Sequence, residues 1–379
     1  MEKRTAIVIG AGIVGLATAR ALGQAGFSVK VFERNAKAIG ASIRNFGMVW
    51  PIGQPMGKLY KRAMRSREIW MQISKITGIW SHACGSLHLA YSLEEWQVLK
   101  ELAEIFKLEG RDVQLYSAEK IQAEYEYVQL NNLYGGLFSA DELLVDPREA
   151  LNQIPNYLSE QFGIEFYWNN CVNKIEDKVV YIGNKAAYSA EIIVVCSGMD
   201  FETLYPEVFE SATITKCKLQ MLRSVIQPND FKLRTAICGG LSLLHYTSFK
   251  AAPSLATLHK KLKTEMDIYL SNGIHVMAAQ NGINQITIGD SHEYGQSFDP
   301  FDKSYINQLI LDYLQGILKI PNQAIEETWH GIYPKMTNGD TEMCLSPEPG
   351  VFIINGLGGA GMTLSFGLAE ELIGEIIGK

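Results

Sequence analysis

Residues 5–34, TAIVIGAGIVGLATARALGQAGFSVKVFER, decide how the rest of the chain is read. A β-branched run, Ile7, Val8 and Ile9, leads straight into Gly10-Ala11-Gly12-Ile13-Val14-Gly15, and an amphipathic stretch as far as Ala25 follows. A second apolar run, Val29 to Phe32, ends at Glu33. Strand, glycine turn, helix, strand and acid in that order form a dinucleotide site. Each glycine has its own reason: Gly10 permits the tight turn, Gly12 lets backbone amides approach a pyrophosphate, and Gly15 lets the helix lie close to the sheet. The helix start offers unpaired N–H groups and a partial positive charge to the diphosphate, while Glu33 is placed to accept hydrogen bonds from ribose hydroxyls. The motif alone leaves open which dinucleotide is bound.

At 379 residues the chain is long enough for two domains with separate cores, and its 47% hydrophobic and 20% charged residues are ordinary for a globular protein. A net charge of −7 with no basic run argues against nucleic acid and an anionic membrane surface, so small molecules are the expected partners. No apolar run approaches a membrane span, and with the first strand beginning by Thr5 no signal peptide is expected. The six cysteines, Cys84, Cys171, Cys196, Cys217, Cys238 and Cys344, are scattered without metal-ligand spacing. Free thiols, a cytoplasmic location and no metal are the expectation.

Beyond Glu33, the segment Gly40-Ala41-Ser42-Ile43-Arg44-Asn45-Phe46-Gly47-Met48 falls beside the remainder of the dinucleotide, where Ser42 could donate to phosphate and Gly47 would let backbone lie against a flat ring. A helix is expected over 57–76. From Cys84 to Val145 short strands and helices carry no cofactor signature and read as the first half of an inserted domain. Asp146-Pro147 opens a helix to about Phe162, and the strand from Cys171 brings Val172 to the adenine end. Glu191 to Gly198 is a buried parallel strand ending in small residues, Ser197 and Gly198. Residues 217–292 read as a hairpin-rich antiparallel sheet with strands at 218–225, 235–237, 241–249, 275–280 and 285–289. The helix from Ile306 to Leu318 is expected to lead back to the nucleotide domain.

The chain ends on a second glycine signal. Val351 to Asn355 is a strand, and Gly356-Leu357-Gly358-Gly359-Ala360-Gly361-Met362-Thr363 precedes a helix from Leu364 to Ile377. Glycines at a helix start let backbone touch a planar ring, and the helix field stabilises negative charge there, which suits the N1 and C2 carbonyl of a flavin on reduction.

Together these residues resemble the D-amino acid oxidase superfamily of FAD-dependent oxidoreductases, which includes glycine oxidase and sarcosine oxidase. The likeness runs in order through VIGAGIVG with Glu33, GASIRNFG, the Asp146-Pro147-Arg148 helix start with Val172, VVCSG, ITIGDSHEYG and GLGGAGMTLSFG. It implies an α/β fold: a discontinuous Rossmann-like FAD-binding domain (1–83, 147–216, 296–379) and an α+β substrate domain with an antiparallel sheet (84–146, 217–295). It also implies non-covalent FAD held by Gly10, Gly12, Ile13, Val14, Gly15, Glu33, Arg34, Ala41, Ser42, Arg44, Asn45, Phe46, Gly47, Met48, Val172, Ser197, Gly198 and residues Leu357, Gly358, Gly359, Ala360, Gly361, Met362 and Thr363. More narrowly, RNFGMVWPIGQ, Cys217 to Met221, GDSHEYG and GGAGMTLSFG are similar to a clade associated with 2-aminoethylphosphonate breakdown.

The departures matter as much. The carboxylate-binding arginine of glycine oxidases falls on Tyr333 and their second arginine on Gly359; the flavin-linking cysteine of monomeric sarcosine oxidases falls on Gly331, and their carboxylate-binding lysine on Thr363. A plain α-amino acid would lack its usual anchor. The expected reaction is oxidation of a C–H bond adjacent to an amine, with hydride passing to flavin N5 and dioxygen or another acceptor reoxidising it. Arg44, Tyr246, His292, Tyr333 and Lys335 are candidates to line the pocket, with Arg44 or Lys335 as the cation for an anionic substrate. From sequence alone His245 and His292 read first as structural histidines. A nicotinamide-dependent dehydrogenase shares the opening motif but gives the terminal glycine loop no job; a non-catalytic flavin-binding protein is the other alternative.

Overall fold

A strand covered on both faces needs an unbroken apolar run, and Ala6, Ile7, Val8 and Ile9 supply one. In the computed structural model, which describes residues 4–378, Thr5–Ile9 lies in a six-stranded sheet ordered Met343–Glu348, Val351–Asn355, Ile192–Val195, Thr5–Ile9, Ser28–Glu33, Glu165–Trp168. All neighbours are parallel except Met343–Glu348, which turns back along Val351–Asn355. Ala6 and Val8 pack on the helices Ile13–Gln24, Lys58–Thr77, Pro147–Phe162 and Gly361–Ile376. Ile7 and Ile9 pack the other way, with Val172 and Val180 of a three-stranded antiparallel sheet. Asp146 accepts hydrogen bonds from the amides of Arg148 and Glu149 (2.9 and 3.2 Å), so Pro147–Phe162 begins at its sequence-predicted cap and stops at left-handed Gly163.

The second sheet has nine strands. Glu293–Gly295, Ile214–Ser224, Ile286–Gly289, Met277–Gln280, Ala236–Cys238, Ser86–Ala90, Gly135–Ser139 and Val113–Ser117 lie side by side, and Ile325–Met336 adds to Ile214–Ser224. It is antiparallel except where Ala236–Cys238 runs parallel to Ser86–Ala90. The long strand Ile214–Ser224 carries three partners and is the spine of this layer.

Two expectations are corrected. Residues 241–249 are not a strand but the ends of two short 3₁₀ turns, Gly240–Leu244 and Thr247–Ala251. The chain is forced to bend because Gly239 and Gly240 lie hard against Tyr313 and Glu95, and the Ser242 hydroxyl closes the turn onto the Gly239 carbonyl at 2.6 Å. The second concerns the helix Ser304–Ile317, whose Ile306, Ile310, Leu314 and Ile317 bury against Leu222, Ile237 and Ile288 of the nine-stranded sheet. With Ile325–Met336 in that same sheet, residues 304–336 pack on the substrate layer and the chain rejoins the nucleotide layer only afterwards. An apolar stripe specifies that a helix is covered, not which core covers it. Among the described residues no helix is long and apolar enough to cross a membrane.

One buried acid makes the fold pH-sensitive. Glu142 is fully buried, accepting from the Ile52 amide and the Ser86 hydroxyl, each at 2.9 Å, and burial pushes its pKa up to about 7. The folded state therefore binds this proton more tightly than the unfolded chain, and stability falls as pH rises from about 4.5 to about 7, by on the order of 3 kcal/mol. Glu142→Gln keeps an acceptor for Ile52 and a donor for Ser86 without the charge. Denaturant unfolding should show it more stable than wild type at pH 8, with the difference vanishing below about pH 5.

Candidate active site

The two glycine loops leave the sheet side by side. Ile9 pairs with Val195 and Val195 with Ile353, so the strands preceding Gly10, Ser197 and Gly356 end along one carboxyl edge. Gly10 has φ +103° and a side chain there would meet the Cys196 carbonyl at 2.3 Å; one on Gly15 would meet the Gly10 carbonyl at 1.9 Å. Only hydrogen fits at either place. A Cβ on Gly361 would lie 3.5 Å from Cγ2 of Ile13, which puts the start of the closing helix against the start of the opening one. The Asn355 amide binds Ser197 Oγ (3.3 Å) and the Gly198 carbonyl (3.0 Å), joining the second strand end to the third.

Around this edge the predicted cofactor residues divide. Glu33 is buried, its carboxylate accepting from the Ala11 amide and the Asn35 amide, both at 3.0 Å, so it braces the glycine turn from beneath. The Ser42 hydroxyl sits 3.0 Å from the Ile13 amide at the mouth of the opening helix, in position for a phosphate. Arg34 pairs with Asp200 at the rim. Gly198 faces open space, and Gly358 and Gly359 meet only Lys335 and Tyr333. Val172 is buried in the apolar cluster that includes Phe32.

Other side chains turn elsewhere. Asn45 spends its amide within its own loop, on the carbonyls of Ala41 and Ser42 and the amide of Gly47. Gly47 has φ +74°, and a side chain there would meet the Val145 carbonyl at 1.9 Å. Met48 is buried in a short strand against Leu144, the Thr363 hydroxyl accepts from the Trp50 amide (2.9 Å), and the Met362 carbonyl accepts from Trp70 Nε1 (2.8 Å).

Facing the closing loop is one side of the nine-stranded sheet. Residues two apart on a strand share a face, which places Tyr333 with Lys335 on Ile325–Met336; beside them the His292 ring lies 6.3 Å from that of Tyr294, and its Nε2 is 3.9 Å from Asp290 Oδ2. Cys217 sits opposite both Tyr333 and Tyr294 in the ladder. The Tyr333 hydroxyl lies 3.6 Å from the Cβ position of Gly359, and the Lys335 stem lies as close to Gly358. The Lys335 ammonium donates to the Tyr294 hydroxyl at 3.2 Å. Arg44 instead donates to the His330 carbonyl (3.1 Å). Of the two candidate cations, Lys335 is the one at the closing loop.

Next to this face three histidine rings gather. His245 is 4.0 Å from His275 and 4.8 Å from His292 between ring centroids, and His275 and His292 stack at 5.0 Å. Tyr246 borders them, 5.0 Å from His245, and donates to Met277 Sδ. Burial holds His292 neutral, its pKa pushed down to about 4, and displaces His275 downward and Asp290 upward. Sequence reasoning missed His275 and Asp290. Neither carried a local signal, since Asp290 lies in the connection between Ile286–Gly289 and Glu293–Gly295 and His275 lies ahead of Met277–Gln280.

A family model for FAD-dependent oxidoreductases, DAO, matches residues 5–374. The chain belongs to the DAO family of FAD-dependent oxidoreductases. It is 28% identical over 260 residues to the tRNA 5-methylaminomethyl-2-thiouridine biosynthesis bifunctional protein MnmC of Nitrosospira multiformis, a match spanning 62% of this chain and 39% of that protein. Among solved structures, glycine oxidase from Geobacillus kaustophilus superposes with a TM-score of 0.78 at 20% identity, over 99% of this chain and 95% of that one. L-proline dehydrogenase from P. horikoshii gives 0.75 at 21% identity, over 100% and 94%. These likenesses show the fold.

The family's FAD fits the residues present. The glycine turn and the Ser42 hydroxyl stand at the helix mouth, and a side chain at Gly198, Gly358 or Gly359 would meet no atom nearer than 3.6 Å, so the backbone of these loops is left open to the cofactor. Membership also disfavours the nicotinamide alternative raised by the opening motif. The glycines make separable predictions. Gly12→Ala places a methyl 3.1 Å from only the Ser42 hydroxyl, so the variant should keep wild-type circular dichroism while losing most of its flavin absorbance. Gly15→Ala collides with backbone and should lose both. A Gly12→Ala protein with a full complement of flavin would show that the pyrophosphate lies elsewhere.

Proposed function

We propose that the protein oxidises the C–N bond of a small amine bearing an anionic group, with an aminophosphonate or its N-methyl derivative the substrate class that suits the site best. The observation that carries this reading is the approach of Tyr333 and Lys335 to Gly359 and Gly358, which sets a phenol and an ammonium beside the closing loop where glycine oxidases carry arginine. FAD, when bound, supplies the hydride acceptor. The chain's own residues position the substrate and shape its electrostatics. Lys335 meets the anionic group as a point charge, and Tyr333, kept protonated by burial, donates a hydrogen bond. The substrate nitrogen, once deprotonated, drives departure of the hydride with its own lone pair, so no strong protein base is needed, and the released imine hydrolyses in water.

The flavin is held non-covalently, since Gly331 offers no nucleophile where sarcosine oxidases attach theirs. Dioxygen or another acceptor takes the electrons, and the free cysteines suit a reducing compartment such as the cytoplasm. The curated relatives match this chain over about two fifths of their length, and their tRNA chemistry does not transfer through that match.

The test is an anaerobic screen of amino acids, N-methyl amines and aminophosphonates, followed by loss of the flavin's visible absorbance. An aminophosphonate should bleach it and glycine should not; bleaching by no amine at all would favour a non-catalytic flavin protein. Lys335→Ala should raise KM for the anionic substrate by about ten-fold or more, with a smaller change in kcat. An unchanged KM removes Lys335 from substrate binding.

A further inference from the structure

We propose that His245, His275, His292 and Asp290 bind a divalent transition-metal ion. His275 and Asp290 exchange backbone hydrogen bonds at 2.8 and 3.1 Å and bring His275 Nε2 to 3.1 Å from Asp290 Oδ1, and the His292 ring stacks on that of His275 at 5.0 Å. His245, at the end of the first 3₁₀ turn, brings a third ring over them. One nitrogen from each ring falls within 4.8 Å of the others. A tetrahedral ion bonded at about 2.0–2.1 Å spaces its ligands roughly 3.4 Å apart, so the three imidazoles would draw together by about 1.4 Å at most.

The polar atoms of this cluster are arranged for an occupant. His292 Nδ1 lies 3.0 Å from the Gly273 carbonyl, which can accept but not donate, so the ring proton sits on Nδ1 and the Nε2 lone pair faces Asp290 Oδ2 at 3.9 Å. A backbone carbonyl fixing one nitrogen so that the other can coordinate is the usual support of a metal-bound histidine. His275 Nε2 lies 3.1 Å from Asp290 Oδ1, yet the two are out of line for a hydrogen bond and neither atom has another partner. His275 and Asp290 are only 4% and 5% exposed, so their unpaired atoms carry a desolvation cost that a shared cation removes. Three imidazoles and one carboxylate are the donors that zinc and its first-row neighbours prefer. Lys335 opposes a cation here, since its charge bears on all three histidines; the Asp290 carboxylate offsets it. His245, the solvent-facing member, provides the path in. The three histidines are spaced thirty and seventeen residues apart, which explains why the sequence expectation was no metal.

The site stands whether or not the substrate is an aminophosphonate, because its test reads metal content. Untagged, flavin-loaded protein is incubated with zinc, desalted and analysed by plasma mass spectrometry, and about one zinc ion per chain is expected. His275→Ala and His292→Ala should each lower it by about ten-fold or more, while His259→Ala on the exposed face of the helix Leu255–Glu265 leaves it unchanged. Wild-type protein that retains almost no zinc, or variants that retain as much as wild type, would overturn the proposal. Should the variants fail to fold, zinc-edge X-ray absorption on the wild type decides: a first shell dominated by imidazole nitrogens at about 2.0 Å supports the site, and one of sulfur or of oxygen alone refutes it.

Discussion

The structure depends on a close approach of backbone to backbone at the start of the chain. Gly15 lies so near Gly10 that an added methyl would come within 1.9 Å of its carbonyl, and Gly10 lies almost as near Cys196. That contact lets the opening helix sit tightly on its strand and lets Ile192–Val195 run alongside, and Val351–Asn355 takes the next place in the sheet. Two loops far apart in sequence thereby leave the same edge, their helices meeting at Ile13 and Gly361, 348 residues apart. Without hydrogen at Gly10 and Gly15 the cleft would have no floor.

The second layer supplies chemistry by a simpler rule. In extended backbone every other side chain faces the same way, so a long spine strand with three partners can display residues from distant segments on one surface. Ile214–Ser224 does this, bringing Tyr294 and Tyr333 to either side of Cys217. The nucleotide layer contributes mostly backbone and the substrate layer mostly side chains. This division fits a cofactor common to a family and a substrate particular to one member.

Much of this was legible in the sequence because the nucleotide layer is written locally. Gly10 to Gly15, Asp146-Pro147 and the run from Gly356 to Thr363 each fix a turn or a helix start within a few residues. Errors arose where meaning is non-local. The stripe on Ser304–Ile317 fits either core, and only the packing on Leu222 and Ile288 assigns it. Residues 241–249 have strand-like composition but lack a strand neighbour, and Gly239 and Gly240 bend them into turns. Within the cofactor set, the side chains of Asn45, Met48 and Thr363 hold loops in place, which leaves their backbone as the part whose approach to the cleft is to be tested. His275 gained significance only through its hairpin partner Asp290.

Both glycine loops leave one sheet edge, and the proposal that rests on this is that they close on a single flavin dinucleotide without a covalent bond. The direct measurement is to denature the purified protein with heat and identify what enters the supernatant. The account predicts FAD, at about one molecule per chain, leaving colourless precipitate. A released nicotinamide dinucleotide, an absence of any cofactor, or a yellow precipitate would contradict it.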